Sequence, residues 1–153
     1  MALRQIRLYD DPLLRKTSKT VNQVDDKIRL LLDDMAETMY HSKIGGGLAA
    51  VQIGILKRLV VIDMGQGLIK LVNPVIINKE GTQKVIEGCL SIPNKWGKLN
   101  RPASVTIKAL NENGDEITIT GTGDLAKCIC HEIDHLEGVL FTDFVEEYLD
   151  PIQ

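Results

Sequence analysis

The run His131-Glu132-Ile133-Asp134-His135 constrains this chain more than any other stretch of it. Two histidines four residues apart lie on one face of an α-helix, where both rings can bind a single metal ion. Glu132 then stands beside that ion as a proton acceptor. A motif this short also arises by chance, as two solvated histidines and a surface glutamate, so the rest of the sequence decides between the two interpretations.

The segment around the motif has the pattern of a buried helix. Asp124, after Thr122-Gly123, suits a helix start, and Gly138 suits the left-handed residue after a helix end. Apolar residues cover most sides and leave one narrow strip that is expected to meet water or a polar partner. This strip consists of Lys127, Cys130, Asp134 and Glu137. The two histidines are therefore expected to face a protein interior, where a metal ion would satisfy one ring nitrogen of each.

Two histidines leave the ion short of a third ligand. In the HExxHxxGxxH pattern a third histidine would fall at position 141, which is Phe141 here. Of the later glutamates, Glu137 lies too close along the same helix to serve as the third ligand. Glu146 and Glu147 lie on a short tail with little room for a further helix. We therefore expect an upstream ligand. Cys89 is the candidate, because a thiolate with two imidazoles and one open position is a recognised catalytic set. The alternative for such a cysteine is a small buried side chain.

The glycine-rich run from Gly45 to Gln52 is a third element of interest. It lacks the Gly-Lys-Ser/Thr ending of a phosphate-binding loop and follows a predicted helix, so a nucleotide site is not expected. A flexible turn is the simplest alternative. The small residues Ala49 and Ala50 and the amide of Gln52 instead favour backbone held close to a ligand, with a side-chain donor beside it.

Together these blocks resemble the peptide deformylases, which remove the formyl group from the N-terminal formylmethionine of new bacterial proteins. The family motifs GxGLAAxQ, EGCLS and HExDH correspond to Gly45 to Gln52, Glu87 to Ser91 and His131 to His135, in the same order. The resemblance covers nearly the whole chain, including Asp11 to Arg15 and Gly138 to Phe141. It implies a metal-dependent hydrolase that releases formate from formylmethionyl peptides.

The resemblance also implies a role for each residue of the site. The metal ligands would be Cys89, His131 and His135. Glu132 would be the acid and base, while Gln52 and the backbone amide of Leu90 would hold the formyl oxygen as it becomes an oxyanion. The substrate main chain would lie as an added strand against Gly46-Gly47 and Gly88. The methionine pocket would be lined by Gly46, Val85, Ile86, Leu125, Cys128 and His131.

Two positions depart from the family pattern. Cys130 stands where many members have glutamine, and Gly46 stands where they have a larger apolar side chain. The first is expected to matter little, because Cys130 lies on the polar strip. The second bears on the shape and rigidity of the methionine pocket.

The resemblance further implies a cofactor and partners. It favours Fe2+ as the working ion, with Zn2+, Ni2+ or Co2+ as other ions that the site could bind; affinity alone would favour zinc. Nascent formylated peptides are the implied partners. Longer members suggest docking on the ribosome through a charged C-terminal helix, whereas residues 145–153 are few and acidic here. We therefore expect weak or no ribosome binding through this tail.

Composition agrees with one small enzyme. A chain of 153 residues with 44% hydrophobic content can bury one core, so we expect a single catalytic domain over residues 1–153. The net charge is -3 with both signs interspersed, which disfavours a nucleic-acid partner. Three cysteines suit a reducing cytoplasm better than a disulfide framework. No run approaches a secretory or membrane-spanning segment, so no membrane association is expected.

The order of the predicted elements indicates an α+β fold. Apolar residues at helical spacing predict an amphipathic helix from about Asp25 to His41. Strand-like runs follow at 58–64, 68–78, 85–91, 104–110 and 116–120, and Asn113-Gly114 suits a hairpin turn between the last two. Strands clustered between two helices predict one domain of antiparallel strands packed around a buried central helix that carries HExxH.

Two other functions remain open from the residues alone. A metallopeptidase would use the same ion and glutamate, but it would need a cleft open on both sides of the scissile bond. A noncatalytic metal-binding module, such as a redox sensor built on Cys89, would keep the three ligands and have no use for Glu132 or Gln52.

Overall fold

Two helices and eight strands make up the regular structure of the described residues, which are 2–43 and 45–149 of a computed structural model. Helix α1 spans Asp26–Ser42 and helix α2 spans Gly123–Leu136. The strands are β1 Gly47–Ala49, β2 Leu59–Ile62, β3 Ile69–Glu80, β4 Gln83–Cys89, β5 Ile92–Arg101, β6 Ser104–Leu110, β7 Glu116–Thr122 and β8 Glu147–Tyr148. Short 3-10 helices occur at Pro12–Arg15, Ala50–Ile53 and Phe141–Asp143.

The strands form two sheets. One has five strands in the order β1-β2-β3-β6-β7, and the other has three in the order β4-β5-β8. All pairings between these strands are antiparallel. Helix α2 packs against β1, β2 and β5 to β7, so it lies between the sheets and is buried on most sides. The predicted α+β fold with a buried central helix is confirmed.

Helix α1 covers the edge of the five-stranded sheet that carries β1 and β2. Its first turn is capped by the Asp25 side chain, which accepts a hydrogen bond from the Ile28 N–H at 3.0 Å. The helix ends at Ser42, and the next residue, Lys43, caps it with a left-handed φ of 64°. Leu32 and Met35 on its inner face are fully buried, as the helical spacing predicted. The glycine-rich run follows directly and becomes β1.

Helix α2 starts at the end of β7 and stops just before Gly138, as predicted. Gly138 has a φ of 74°, and a Cβ there would overlap the Arg15 carbonyl. The polar strip of this helix was expected to meet water or a polar partner, and at Cys130 it does not meet water, because only 4% of this residue is exposed. That face of the helix lies under β5, where Arg101 binds Asp134 at 2.6 Å.

Strands β4 and β5 form a hairpin whose tight turn is Leu90-Ser91, with Cys89 paired to Ile92. This turn places a cysteine, a backbone amide and a hydroxyl next to one another. Among the described residues, none of the helices is both long enough and apolar enough to cross a lipid bilayer.

Candidate active site and metal centre

Three potential metal ligands converge where the end of β4 meets the middle of α2. One helical turn places Nε2 of His131 and Nε2 of His135 3.3 Å apart. The Sγ of Cys89 lies 3.4 Å from Nε2 of His135. All three atoms lie within 4.8 Å of one another, and both histidines are buried. The structure therefore brings together the three residues that the sequence suggested as ligands.

These separations suit one tetrahedral ion. Bonds of about 2.0 to 2.1 Å to nitrogen and about 2.3 Å to sulfur at tetrahedral angles put two nitrogens about 3.3 Å apart, and nitrogen and sulfur about 3.6 Å apart. The observed 3.3 and 3.4 Å are close to these values. One thiolate and two imidazoles leave a fourth position for water or substrate. The donor set and its geometry fit a catalytic metal.

The electrostatics around the two rings also suit a cation. Burial disfavours a charged His131, yet the acidic Glu132 and hydrogen bonds to Cys89 and Glu87 raise its pKa well above the ordinary value. This centre therefore attracts positive charge. Burial, together with the nearby charges of His131 and Arg101, holds the pKa of His135 well below the ordinary value. A neutral imidazole is the form that binds metal.

A buried ion-pair network holds His131 from behind. Glu87 of β4 accepts hydrogen bonds from Arg101 Nε at 2.6 Å and Nη2 at 2.8 Å. Its Oε1 lies 2.7 Å from Nδ1 of His131. Burial opposes ionisation of Glu87, but Arg101 and His131 outweigh it and lower its pKa to about 2. Glu87 is thus an anion that orients the ring and leaves Nε2 for the metal.

Glu132 is a buried carboxylate that faces the cavity at this centre. Only 3% of the residue is exposed, and its Oε1 has no hydrogen-bond partner among the described residues. Burial raises its pKa to about 7, although His131 opposes the shift. A cation at the three ligands would favour the ionised form further. Glu132 is therefore a carboxylate at the cavity wall whose Oε1 is not engaged by any described residue.

Gln52 is held with its amide nitrogen towards Cys89. Its Oε1 accepts the Ala49 N–H at 3.0 Å, and its Nε2 donates to Ser91 Oγ at 3.1 Å and lies 3.6 Å from Cys89 Sγ. The N-terminal segment braces both partners, since Arg7 N–H donates to the Gln52 carbonyl at 2.6 Å and Tyr9 N–H to the Ser91 carbonyl at 2.8 Å. A rigid donor therefore sits beside the metal ligands.

Comparison with known proteins identifies the family. The family model described as Polypeptide deformylase matches residues 3–149. Peptide deformylase 2 of Clostridium acetobutylicum is 64% identical over 149 residues, which cover 97% of this chain and 99% of that protein. This chain belongs to the peptide deformylase family. The peptide deformylase of Acetivibrio thermocellus is 56% identical over 150 residues, covering 98% of this chain and 88% of that protein.

A solved deformylase structure shares the fold. The crystal structure of peptide deformylase from Thermotoga maritima matches with a TM-score of 0.92 at 37% sequence identity, over 95% of this chain and 99% of that chain. The chain is therefore a hydrolase of N-formyl groups on newly made peptides, and its Cys-His-His cluster can bind the metal on which deformylases depend.

The deformylase has a cavity of about 290 Å³ directly over the metal centre. Five of the residues expected to bind substrate line it: Gly46, Gly47, Ile86, Gly88 and Cys128. The proposed catalytic residues Gln52, Leu90 and Glu132 line it as well, as does the ligand His131. Burial raises the pKa of the Cys128 thiol well above the ordinary value, so it presents a neutral, weakly polar wall.

Two expected pocket residues do not line this cavity of the deformylase. Val85 packs against the core and faces a neighbouring groove, and Leu125 packs over Gly121, where a Cβ would lie 2.9 Å from Leu125 Cγ. The first departure follows from side-chain direction and the second from distance along the helix. Neighbouring strand residues point to opposite faces, and Leu125 lies almost two helical turns before His131.

Several cavity residues of the deformylase were not singled out from the sequence. Met64, Lys127 and Trp96 line the cavity, and Glu87 orients a ligand. Glu87 was quoted only as the first residue of the EGCLS block and was given no role of its own. Met64 and Trp96 gave none, because they come from a hairpin and a strand whose position relative to α2 depends on the tertiary fold.

Proposed function

We propose that Glu132, Gln52 and the backbone at Leu90 hydrolyse the formamide bond of formylmethionyl peptides, next to a divalent ion held by Cys89, His131 and His135. One observation carries this proposal. The buried Glu132, whose Oε1 has no hydrogen-bond partner among the described residues, lines the same cavity as the ligands Cys89 and His131. A noncatalytic metal module would have no use for this oxygen.

Proton transfer is the part assigned to Glu132. Cys89, His131 and His135 would hold an ion that, when bound, would supply Lewis acidity and so lower the pKa of water at the site. Glu132 accepts the proton of the attacking water and later donates it to the departing amine. The carbon–nitrogen bond breaks, and formate and a free N-terminal methionine are the products.

Oxyanion stabilisation is assigned to two donors. Gln52 Nε2 is fixed by Ser91 and by the Ala49 contact of its other amide atom, so it needs no reorganisation during the reaction. The N–H of Leu90 lies in the tight turn beside Cys89. Each well-placed donor of this kind contributes about 3 to 4 kcal/mol to transition-state stabilisation.

Peptide binding is assigned to the glycine segments on either side of the cavity. A Cβ on Gly47 would lie 2.7 Å from Glu132 Oε2 and 2.9 Å from Cys128 Sγ. A Cβ on Gly88 would lie 2.6 Å from the Trp96 ring. A larger residue at either position would have to displace the side chains of Glu132 and Cys128 or of Trp96. A substrate backbone would add as a strand here, with the methionine side chain towards Cys128 and Ile86.

We further propose Fe2+ as the working ion and the cytoplasm as the site of action, where formylated chains emerge from the ribosome. Ribosome binding through the tail is expected to be weak. Glu146 and Glu147 are acidic, whereas Asp150 to Gln153 of the expected tail lie outside the described residues. Metal analysis after oxygen-free purification, with rates for each reconstituted form, tests the ion.

The activity is tested by formate release from peptides that differ only at the N-terminus. Formylmethionyl peptides are expected to react, whereas acetylated and unblocked peptides of the same sequence are not. Cleavage of an internal peptide bond, with no preference for the formyl group, would favour a metallopeptidase instead.

A further inference from the structure

The hairpin between β2 and β3 brings a side chain to the cavity beside Gly46. A Cβ built on Gly46 would overlap the sulfur of Met64, whose methyl group lies 3.6 Å away. Met64 is half-buried and lines the cavity together with Gly46. Gly46 has no left-handed φ, so its backbone does not require glycine. The thioether therefore occupies the space that a side chain at position 46 would fill.

Local hydrogen bonds fix the segment that carries Met64. The Asp63 N–H donates to the Gly46 carbonyl at 2.8 Å, which ties the hairpin to the glycine segment. Tyr40 Oη donates to Asp63 Oδ2 at 2.6 Å, and Asp63 Oδ1 accepts the Gly65 N–H at 2.9 Å. Met64 thus sits over Gly46 as part of a held turn.

Met64 and helix α2 lie on opposite faces of the glycine segment. The Cβ direction of Gly47 points to Glu132 and Cys128, whereas that of Gly46 points to Met64. An extended peptide added beside this segment alternates its side chains between the same two faces. If the methionine side chain faces Cys128, the side chain of the following residue faces Met64.

We propose that Met64 determines which residue the enzyme accepts after the formylmethionine. This inference rests on the proposed peptide-binding mode. A methionine side chain is apolar, unbranched and adaptable, so it favours large apolar second residues over glycine. Met64 fills the space beside Gly46 on the face away from Cys128, so its contact is with the second residue and not with the methionine side chain.

The test compares formyl-Met-Leu-Ser with formyl-Met-Gly-Ser as substrates of the metal-loaded enzyme. Met64→Ala is expected to lower the Leu/Gly ratio of kcat/KM by about 5- to 10-fold, mainly through KM, because a contact with the leucine side chain is lost. Leu68→Ala is the matched control. It removes a 40%-exposed side chain from the same hairpin, and Leu68 does not line the cavity. The ratio is expected to stay the same in this control.

A second pair of variants tests the shared space. Gly46→Val alone would collide with Met64 and is expected to lower kcat/KM for both peptides. Adding Met64→Ala would make room for the valine. The double variant is therefore expected to regain at least half of the Leu/Gly ratio of kcat/KM that the wild type shows. Effects that simply add would overturn the proposal. So would an unchanged ratio in Met64→Ala, an equal change in Leu68→Ala, or an equal loss of kcat for both substrates.

A binding readout separates this inference from the proposed function. Trp96 is the one tryptophan of the chain and lines the cavity. Its fluorescence can report titrations with the product peptides Met-Leu-Ser and Met-Gly-Ser. The Kd ratio is expected to shift in Met64→Ala as the kinetic ratio does. Absence of formate release by the wild type would overturn the proposed function, whereas an unshifted Kd ratio would overturn the role of Met64.

Discussion

Oε1 of Glu87 lies 2.7 Å from Nδ1 of His131. Because the pKa of Glu87 is lowered to about 2, the carboxylate is ionised at neutral pH and the ring nitrogen is the donor. This hydrogen bond fixes the tautomer in which Nε2 carries the lone pair for a metal. The orientation of one ligand therefore depends on an ion pair with Arg101 on a different strand.

Glu87→Gln is expected to weaken metal binding by about 10- to 100-fold, because loss of such a partner of a ligand histidine has this effect. Competition with a chromogenic chelator measures the affinity. The exposed Glu80 of β3 offers a control, since Glu80→Gln touches neither ligand nor core. Equal affinities for both variants would show that His131 needs no carboxylate.

Glu132→Gln is expected to retain the metal and to lower kcat by about 100-fold or more, because an amide cannot accept the proton. Metal content and formate release are measured on the same preparation. A variant that kept the wild-type rate would remove Glu132 from the mechanism.

Cys89→Ala is expected to lose both metal and activity, because it removes one of three ligand atoms. Cys130→Ala is the matched control, since Cys130 is buried on the same helix as the histidines and its sulfur is not part of the cluster. Stoichiometric metal in Cys89→Ala would place the third ligand elsewhere.

Asp34 predicts a pH-dependent contribution to stability. Burial opposes its ionisation, but the Ala2 N–H at 2.7 Å and the Arg4 guanidinium at 2.9 Å outweigh this and lower its pKa. Because the pKa of Asp34 is lower in the folded state, its ionisation stabilises the protein at any pH above the pKa of Asp in the unfolded chain, about 3.9. This contribution is lost as the pH falls through the pKa of Asp34 in the folded state. Asp34→Asn is therefore expected to cost about 1 to 3 kcal/mol at pH 7 and less at pH 3.

Urea unfolding at the two pH values measures this difference. Asp26→Asn is a suitable control, because Asp26 lies on the same helix and its side chain is 98% exposed. A penalty for Asp34→Asn that is as large at pH 3 as at pH 7 would contradict the assigned ionisation.

Peroxide is expected to oxidise Cys89 before the other cysteines. Cys89 is half-buried and lines the cavity, whereas Cys128 and Cys130 are 7% and 4% exposed and burial raises the pKa of both thiols. Reactivity follows thiolate character and access. The iron form is expected to lose activity faster than the zinc or nickel form, and mass spectrometry of tryptic peptides locates the added oxygen. First oxidation at Cys130 would contradict this order.

The sequence predicted those parts of the fold that local patterns determine. Helix α2 and its end at Gly138 follow from apolar spacing and a left-handed glycine, and β6 has the predicted bounds of Ser104–Leu110. Strand β5 was missed because Pro93 and Gly97 are poor strand residues. Pro93 fits because β8 pairs only with Gly97 and Lys98, which leaves the first part of β5 without a partner on that side.

The candidate site was predictable where residues are adjacent in sequence and less so where strands meet. His131, Glu132 and His135 belong to one helix, so their arrangement follows from its period. Water and a polar partner stayed open for the strip that contains Cys130, because the pattern of a helix does not reveal that another sheet covers it. The same limit applies to Glu87, since nothing local shows that Arg101 would reach it.

The metal ligands are far apart in the order of synthesis. Cys89 precedes His135 by 46 positions, and α2 follows seven of the eight strands. A growing chain is made from its N-terminus, so the thiol of Cys89 is exposed before either histidine has been added. An ion therefore cannot be held by all three ligands until α2 has been translated, so the cysteine waits for its partner ligands through the synthesis of β5, β6 and β7.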